Sequence, residues 1–351
     1  MESLHLSDWR ELLAHSIHLP YEIPQLKPHK KKNLIKVIKV FPMRVNPYYA
    51  SLIKAPDDPI WRQVIPDLLE LDDVLGEEDP LCESKQSVVP NLIHRYSNRV
   101  LFIISDHCAV FCRHCMRKRW MGGSLRVTSD TIAQGIDYIA AHQMVDDVIL
   151  SGGDPLLLED QVFFNILARL RKISHVKIIR IHSRVPCTLP QRITSGLAQG
   201  LARFHPLWVN IQFNHPKEIT NQAQAACSLL ADAGIPLGCQ TVLLRNINDS
   251  AEILAELMTR LLEIRVRPYY LHHPDRVRGT RHFWVSPQKG LSILGKLRGR
   301  LSGLAIPHYM IDLPGGGGKI SLSPESVLEK RTDFWRIRNH KGRIFDYPLD
   351  T

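Results

Sequence analysis

Several shortages in the sequence each remove a class of protein. No apolar run approaches the ~20 residues that span a bilayer, and the opening residues Met1-Glu-Ser-Leu-His lack the basic-then-apolar layout of a secretory leader. A membrane protein is therefore not expected, and a cytoplasmic location is. Cysteine is sparse and odd in number: seven residues do not make a disulfide framework and suit a reducing compartment. Four of them, Cys82, Cys187, Cys227 and Cys239, form no Cys-x-x-Cys pair of the kind a structural zinc site uses. The spacing Gly-x-x-x-x-Gly-Lys-Ser/Thr of a phosphate-cradling Walker loop is absent. The basic run over residues 27–32, followed by Lys36 and Lys39, lacks the interleaved aromatics that stack bases. A net charge of +10 then points to anionic small molecules, and nucleic acid is not an expected partner.

With 44% hydrophobic and 23% charged residues, 351 residues can bury a barrel-sized core and carry an accessory region. Up to about residue 90 the chain is polar and helix-like, with patches at 8–13 and 60–65 broken by prolines. Beyond that, β-branched runs at 100–105, 147–151, 177–182, 207–213, 237–244 and 266–272 alternate with helical stretches. An interval of about 30 residues per unit predicts βα units and a parallel α/β sheet. Helices are predicted over 128–142, capped by Ser129 or Asp130, and over 249–264, with Asn248 before it.

Three cysteines stand apart. Cys108, Cys112 and Cys115 have the spacing Cys-x-x-x-Cys-x-x-Cys directly after the first strand-like run. The triplet reads as an iron–sulfur site: a four-iron cluster takes four thiolates, so three leave one iron open, as catalytic metal sites leave a position for substrate. A zinc site would need a fourth ligand, which His114 inside the triplet could supply on paper; three unrelated core cysteines are the other reading. Ser151-Gly-Gly-Asp-Pro155 follows the second strand, where two glycines allow backbone to approach a ligand or simply make a turn. Four consecutive glycines precede Lys319, and a partly desolvated lysine at such a loop can form a Schiff base with a carbonyl cofactor. The alternative is a flexible linker ending in a solvated lysine.

In the form Cys108-Ala-Val-Phe-Cys112-Arg-His-Cys115 the triplet resembles the signature of the radical S-adenosylmethionine (radical SAM) superfamily. The resemblance implies a [4Fe-4S] cluster on Cys108, Cys112 and Cys115, with S-adenosylmethionine on the open iron. It also implies a partial (β/α)6 barrel over residues 91–304, with an N-terminal helical region at 1–90 and a C-terminal segment at 305–351. Ser151, Gly152, Gly153 and Asp154 would then serve the adenosylmethionine, with Gln212 and Gln240 expected at the same mouth.

Together with His94-Arg-Tyr-Ser-Asn-Arg99, Pro268-Tyr-Tyr270, Gly279-Thr-Arg-His-Phe283 and Pro314-Gly-Gly-Gly-Gly-Lys319, the triplet also resembles the lysine 2,3-aminomutase family over residues 41–323. That resemblance adds pyridoxal 5'-phosphate (PLP), held as a Schiff base by Lys319, the catalytic lysine, with Arg95 and Arg99 clamping its phosphate. Arg117 would bind the substrate carboxylate, and Asp275 with Asp312 the distant ε-ammonium of lysine. It further implies an electron donor such as flavodoxin or ferredoxin, and a homo-oligomer. The chain departs from longer members in having no cysteine after Lys319 and Ser250 where they carry an upstream zinc cysteine, so their structural zinc is not expected; Gln212 replaces a histidine. Two other readings stay open: aminomutation of another amino acid, and supply of β-lysine for elongation factor P modification.

Overall fold

The computed structural model of the protein describes residues 8–23, 25–123 and 125–349, so the opening residues 1–7 lie outside the described part. Four short helices come first: α1 (Trp9–Ala14), α2 (Pro28–Ile38), α3 (Pro47–Ser51) and α4 (Pro59–Val64). The prolines that interrupt the pattern stand in the first turn of α2, α3 and α4, where a missing N–H removes no helix bond. Asp8, Asn46 and Asp58 cap α1, α3 and α4 through their side-chain oxygens.

Strands β1 (Ser87–Val89) and β2 (Leu92–Tyr96) lead into β3 (Arg99–Ser105). The chain then alternates: α5 (Ser129–Ala141), β4 (Asp147–Gly152), α6 (Asp160–Arg171), β5 (Ile178–Ser183), α7 (Val185–Thr188), α8 (Ser195–Ala202), β6 (Leu207–Ile211), α9 (Asn221–Asp232), β7 (Leu237–Val242), α10 (Ala251–Glu263), β8 (Arg267–His272), α11 (Pro287–Leu297), β9 (His308–Leu313) and β10 (Gly318–Leu322). These ten strands form one sheet in chain order. Strands β3 to β9 run parallel, and β1, β2 and β10 add antiparallel edges. Strands β3 to β8 are the six predicted from sequence, and the architecture is the α/β partial barrel expected of a radical SAM protein. Three further strands, β11 (Val327–Lys330), β12 (Phe334–Arg338) and β13 (Ile344–Pro348), make a separate antiparallel sheet.

The structure corrects the caps and qualifies the boundaries. Helix α5 is capped by Thr128, whose hydroxyl accepts from Thr131 N–H, not by Ser129 or Asp130. Helix α10 begins at Ala251 under a Ser250 cap, so the residue read as a replaced zinc cysteine has a helix-capping role here. No break falls at residue 304, because β9 and β10 continue the main sheet. Nor is the N-terminal region a separate body: Trp9, Val37, Tyr49 and Trp61 belong to the same buried cluster as Phe102, Leu150 and Ile211. Among the described residues no helix is long and apolar enough to cross a membrane.

Candidate active site

Parallel strands end on one rim, and loops leaving that rim carry chemistry in barrel folds. Here a cavity of about 500 Å3 opens at the rim and runs into the barrel. Every residue assigned above to the cluster, a cofactor or the substrate lines it. The loop after β3 brings Cys108, Cys112, Cys115 and Arg117; the end of β4 brings Ser151, Gly152, Gly153 and Asp154. Gln212 follows β6, Gln240 lies on β7 and Asp275 follows β8. Asp312 on β9 and Lys319 on β10 face each other in register across the hairpin that holds the glycine loop. Arg95 on β2 and Arg99 at the start of β3 complete the wall.

At the cysteine end, burial and then the neighbouring cysteines push the Cys108 thiol well up, and burial with Cys112 pushes Cys115 up to about 11. Three half-buried thiolates side by side are costly without a cationic group between them, which is what a cluster of irons would supply. Among the described residues no three His, Cys, Asp or Glu side chains converge on a single metal ion. Arg184 NH1 donates to Cys112 Sγ at 2.7 Å, and the Arg117 backbone N–H to Cys115 Sγ at 3.3 Å. Arg184 is itself buried and held by Glu218 (2.7 Å), Gln63 (2.5 Å) and the Tyr49 hydroxyl (3.1 Å). His114 has no zinc-type partner: its Nε2 lies beside the amide nitrogens of Asn214 (3.2 Å) and Gln212 (3.4 Å), and burial drives its pKa well down.

The cysteine loop is locked from outside by a second buried network. Arg113, between Cys112 and Cys115, is fully buried and paired with Glu70, which also accepts from Lys118 Nζ at 2.8 Å. Burial pulls Lys118 down to about 8 despite that partner. Arg113 also donates to the carbonyls of Phe41 and Pro42, fixing the loop to the N-terminal region.

At the other end, Lys319 Nζ is paired with Asp312. The second oxygen of Asp312, Oδ1, is buried and accepts no hydrogen bond, and Arg95 NH1 lies 3.6 Å from it. Burial, then the charge of Asp312, pushes the Asp275 carboxyl up to about 7. Arg95 also donates to Gln86 Oε1 (2.7 Å) and Leu81 O (3.0 Å), while the Arg99 guanidinium lies 5.0 Å over the Tyr96 ring. Two guanidiniums, a lysine and a carboxylate oxygen without a hydrogen bond around one cavity fit an anionic carbonyl cofactor and a cationic substrate group. Arg117 is gripped by Glu83 through two hydrogen bonds (3.0 and 2.7 Å) and leaves NH1 3.4 Å from Ser151 Oγ.

Both glycine motifs are demanded first by the chain's own atoms. A Cβ on Gly152 would overlap Ser105 O, one on Gly153 would overlap His107 O, and Gly152 has φ +142°. The β4 loop therefore lies against the start of the cysteine loop, through Gly153 N–H to Ser105 O (2.7 Å) and Asp154 N–H to His107 O (2.6 Å). Asp154 engages both carboxylate oxygens with Ser183, Leu156, Arg184 and Val185. In the second loop Gly316 and Gly318 have positive φ and approach Gln86 and Tyr96. Glu83, Arg184, Glu218 and Glu70 escaped the sequence reading, because an ion pair formed across 30 or more residues has no local signature; Arg184 alone carries a hint, as a basic residue at a strand end, and Tyr96 stood in a quoted motif without a role.

A profile described as the radical SAM superfamily matches residues 102–258, and one described as lysine-2,3-aminomutase matches residues 294–350. Among curated relatives, an L-lysine 2,3-aminomutase of Clostridium subterminale is 44% identical over 97% of this chain and 84% of its own length. One from Methanococcus maripaludis is 46% identical over 91% of this chain and 75% of its own. A glutamate 2,3-aminomutase of Clostridioides difficile is 40% identical over 90% and 76%.

Proposed function

The chain belongs to the lysine 2,3-aminomutase family of the radical SAM superfamily, and from that premise we propose that it moves the α-amino group of L-lysine to the β carbon, giving β-lysine. It is an isomerase, and its superfamily implies a [4Fe-4S] cluster and S-adenosylmethionine. The finer reading adds PLP and the choice of lysine. When bound, these groups supply one-electron chemistry that frees a hydrogen-abstracting carbon radical, and a carbonyl that carries the migrating nitrogen.

The chain's own residues do the rest. Cys108, Cys112 and Cys115 would hold the cluster and leave one iron for adenosylmethionine, for which Ser151 to Asp154, Gln212 and Gln240 would be the binding residues. Lys319 offers the amine for the carbonyl cofactor, and Arg95 with Arg99 take its phosphate, a planar fork being suited to that geometry. Arg117 takes the substrate carboxylate; Asp275 and Asp312 take the ε-ammonium. A protein donor such as flavodoxin or ferredoxin delivers the electron in the cytoplasm.

One observation carries the choice of lysine: the buried Asp312 Oδ1 without a hydrogen bond, beside Asp275 in the cavity that also holds Arg117. A substrate with a carboxylate at one end and an ammonium at the other meets both needs. Glutamate would set a third carboxylate against two, at a cost that buried like charges do not offset. The test is anaerobic: reconstituted protein with PLP, adenosylmethionine and reductant is given L-lysine or L-glutamate, with Lys319→Ala as control. β-Lysine formed only by the parent supports the reading; β-glutamate, or adenosylmethionine cleavage with lysine untouched, overturns the substrate assignment.

A further inference from the structure

Arg117 takes its acidic partner from outside the barrel. Glu83 opens the short turn Glu83–Gln86, and Asp79 fixes that turn by accepting from the backbone N–H groups of Glu83 (3.0 Å) and Ser84 (2.9 Å). The Glu83 side chain is 5% exposed. Its Oε2 accepts from Arg117 Nε and its Oε1 from Arg117 NH2, so one edge of the guanidinium is fully used. The remaining edge carries NH1, which lies by Ser151 Oγ at the cavity wall. Behind Glu83, Arg119 NH2 sits 3.3 Å from Oε2 and 3.1 Å from Asp79, an alternating chain of charges that ends in the turn itself.

An arginine side chain has several rotatable bonds, and a large cavity beside it leaves many rotamers open. A two-point grip removes that freedom before any ligand arrives, which lowers the ordering cost of binding. Burial raises the Glu83 carboxyl, but Arg117 and Arg119 outweigh it and hold the group below the ordinary glutamate range, so it is an anion at neutral pH.

We propose that Glu83 is a positioning residue for the amino-acid substrate, gripping one edge of the Arg117 guanidinium so that the other faces the substrate carboxylate. This rests on the reading of Arg117 as the carboxylate partner. Loss of a bidentate hydrogen bond to a charged group lowers affinity ~10- to 100-fold.

The experiment uses reconstituted holoenzyme and measures KM and kcat for L-lysine, bound iron, and the dissociation constant of adenosylmethionine. Glu83→Gln is expected to raise KM by that factor with kcat, iron and adenosylmethionine binding little changed. Glu83→Asp, which keeps the charge but shortens the reach, is expected to do the same. Combined with Arg117→Lys, Glu83→Gln should add nothing beyond Arg117→Lys alone, since both act through one guanidinium. An unmoved KM in Glu83→Gln, or additive losses in the double variant, overturns the proposal, and so does loss of iron in both Glu83 variants, which would make the residue structural. If Arg117→Lys itself leaves KM unchanged, it is the carboxylate reading of Arg117 that falls, taking the proposal with it.

Discussion

Two buried carboxylates close together cannot both ionise freely, and this sets the pH behaviour of the far end of the cavity. Asp275, pushed up to about 7 by burial and then by Asp312, is protonated in an appreciable fraction of the free protein at neutral pH. Binding an ammonium requires the ionised form, so affinity is present above about 7 and is lost as pH falls below it. Because kcat/KM reports the free enzyme, kcat/KM for lysine is expected to fall about tenfold per unit below that pKa. In Asp275→Asn this limb should vanish, with kcat/KM low throughout; a limb that survives the substitution assigns the titration elsewhere. Glu70 sets the opposite case, a carboxylate that burial raises but whose two cationic partners hold below its ordinary value. Glu70→Ala leaves Arg113 and Lys118 buried without their anion, and removal of one side of such a pair costs about 3–5 kcal/mol. Denaturant unfolding should show that loss, together with poorer iron uptake because Arg113 lies between two cluster cysteines.

At the scale of elements, the rim works because neighbouring loops lie in backbone contact. Gly153→Ala tests that directly: its Cβ would overlap His107 O, so the β4 loop and the cysteine loop must part. A destabilisation of about 1–3 kcal/mol is expected, with slower or incomplete cluster reconstitution. Gly303→Ala, where a Cβ meets nothing within 4 Å, should be close to neutral in both measurements. The glycines were visible in the sequence but their reason was not, since the atoms they avoid belong to residues nearly fifty positions earlier. The six parallel strands were legible because short apolar, largely β-branched runs recur at about 30-residue intervals between helical stretches. Helix starts were less so: Thr128 and Ser250 cap where neighbouring Ser129, Asp130 and Asn248 are chemically as able. Strands β1, β2 and β9 to β13 were not predicted, because edge and hairpin strands are short and alternate polar with apolar residues. The cysteine triplet and the lysine after the glycine loop stood out by motif spacing, and the two aspartates only through the family resemblance; the acids that pair with the arginines did not stand out.

The whole molecule is a ten-stranded sheet left open between β1 and β10, and the seam is spanned without a ladder of strand hydrogen bonds. What crosses it near the glycine loop is a small set of contacts: Gly315 N–H to Pro80 O at 3.2 Å, Lys319 N–H to the Tyr96 hydroxyl at 2.8 Å, and Arg95 to Asp312. The hairpin carrying Lys319 is thus tied on one side by the ladder to β9 and on the other by these few separate contacts. An element held this way opens at lower free energy than strands buried between neighbours. Backbone amides of β10 are therefore expected to exchange with deuterium faster than those of β4 to β7. Tyr96→Phe removes the acceptor for Lys319 N–H while keeping the ring under Arg99, so exchange should quicken over Gly318–Leu322 and leave the central strands unchanged. The substitution should also weaken retention of PLP, read by its absorbance after gel filtration, since the lysine that would hold it sits on the loosened strand. Equal acceleration in every strand would mean that the hairpin opens only with global unfolding, and the seam would then be as firm as the sheet it joins.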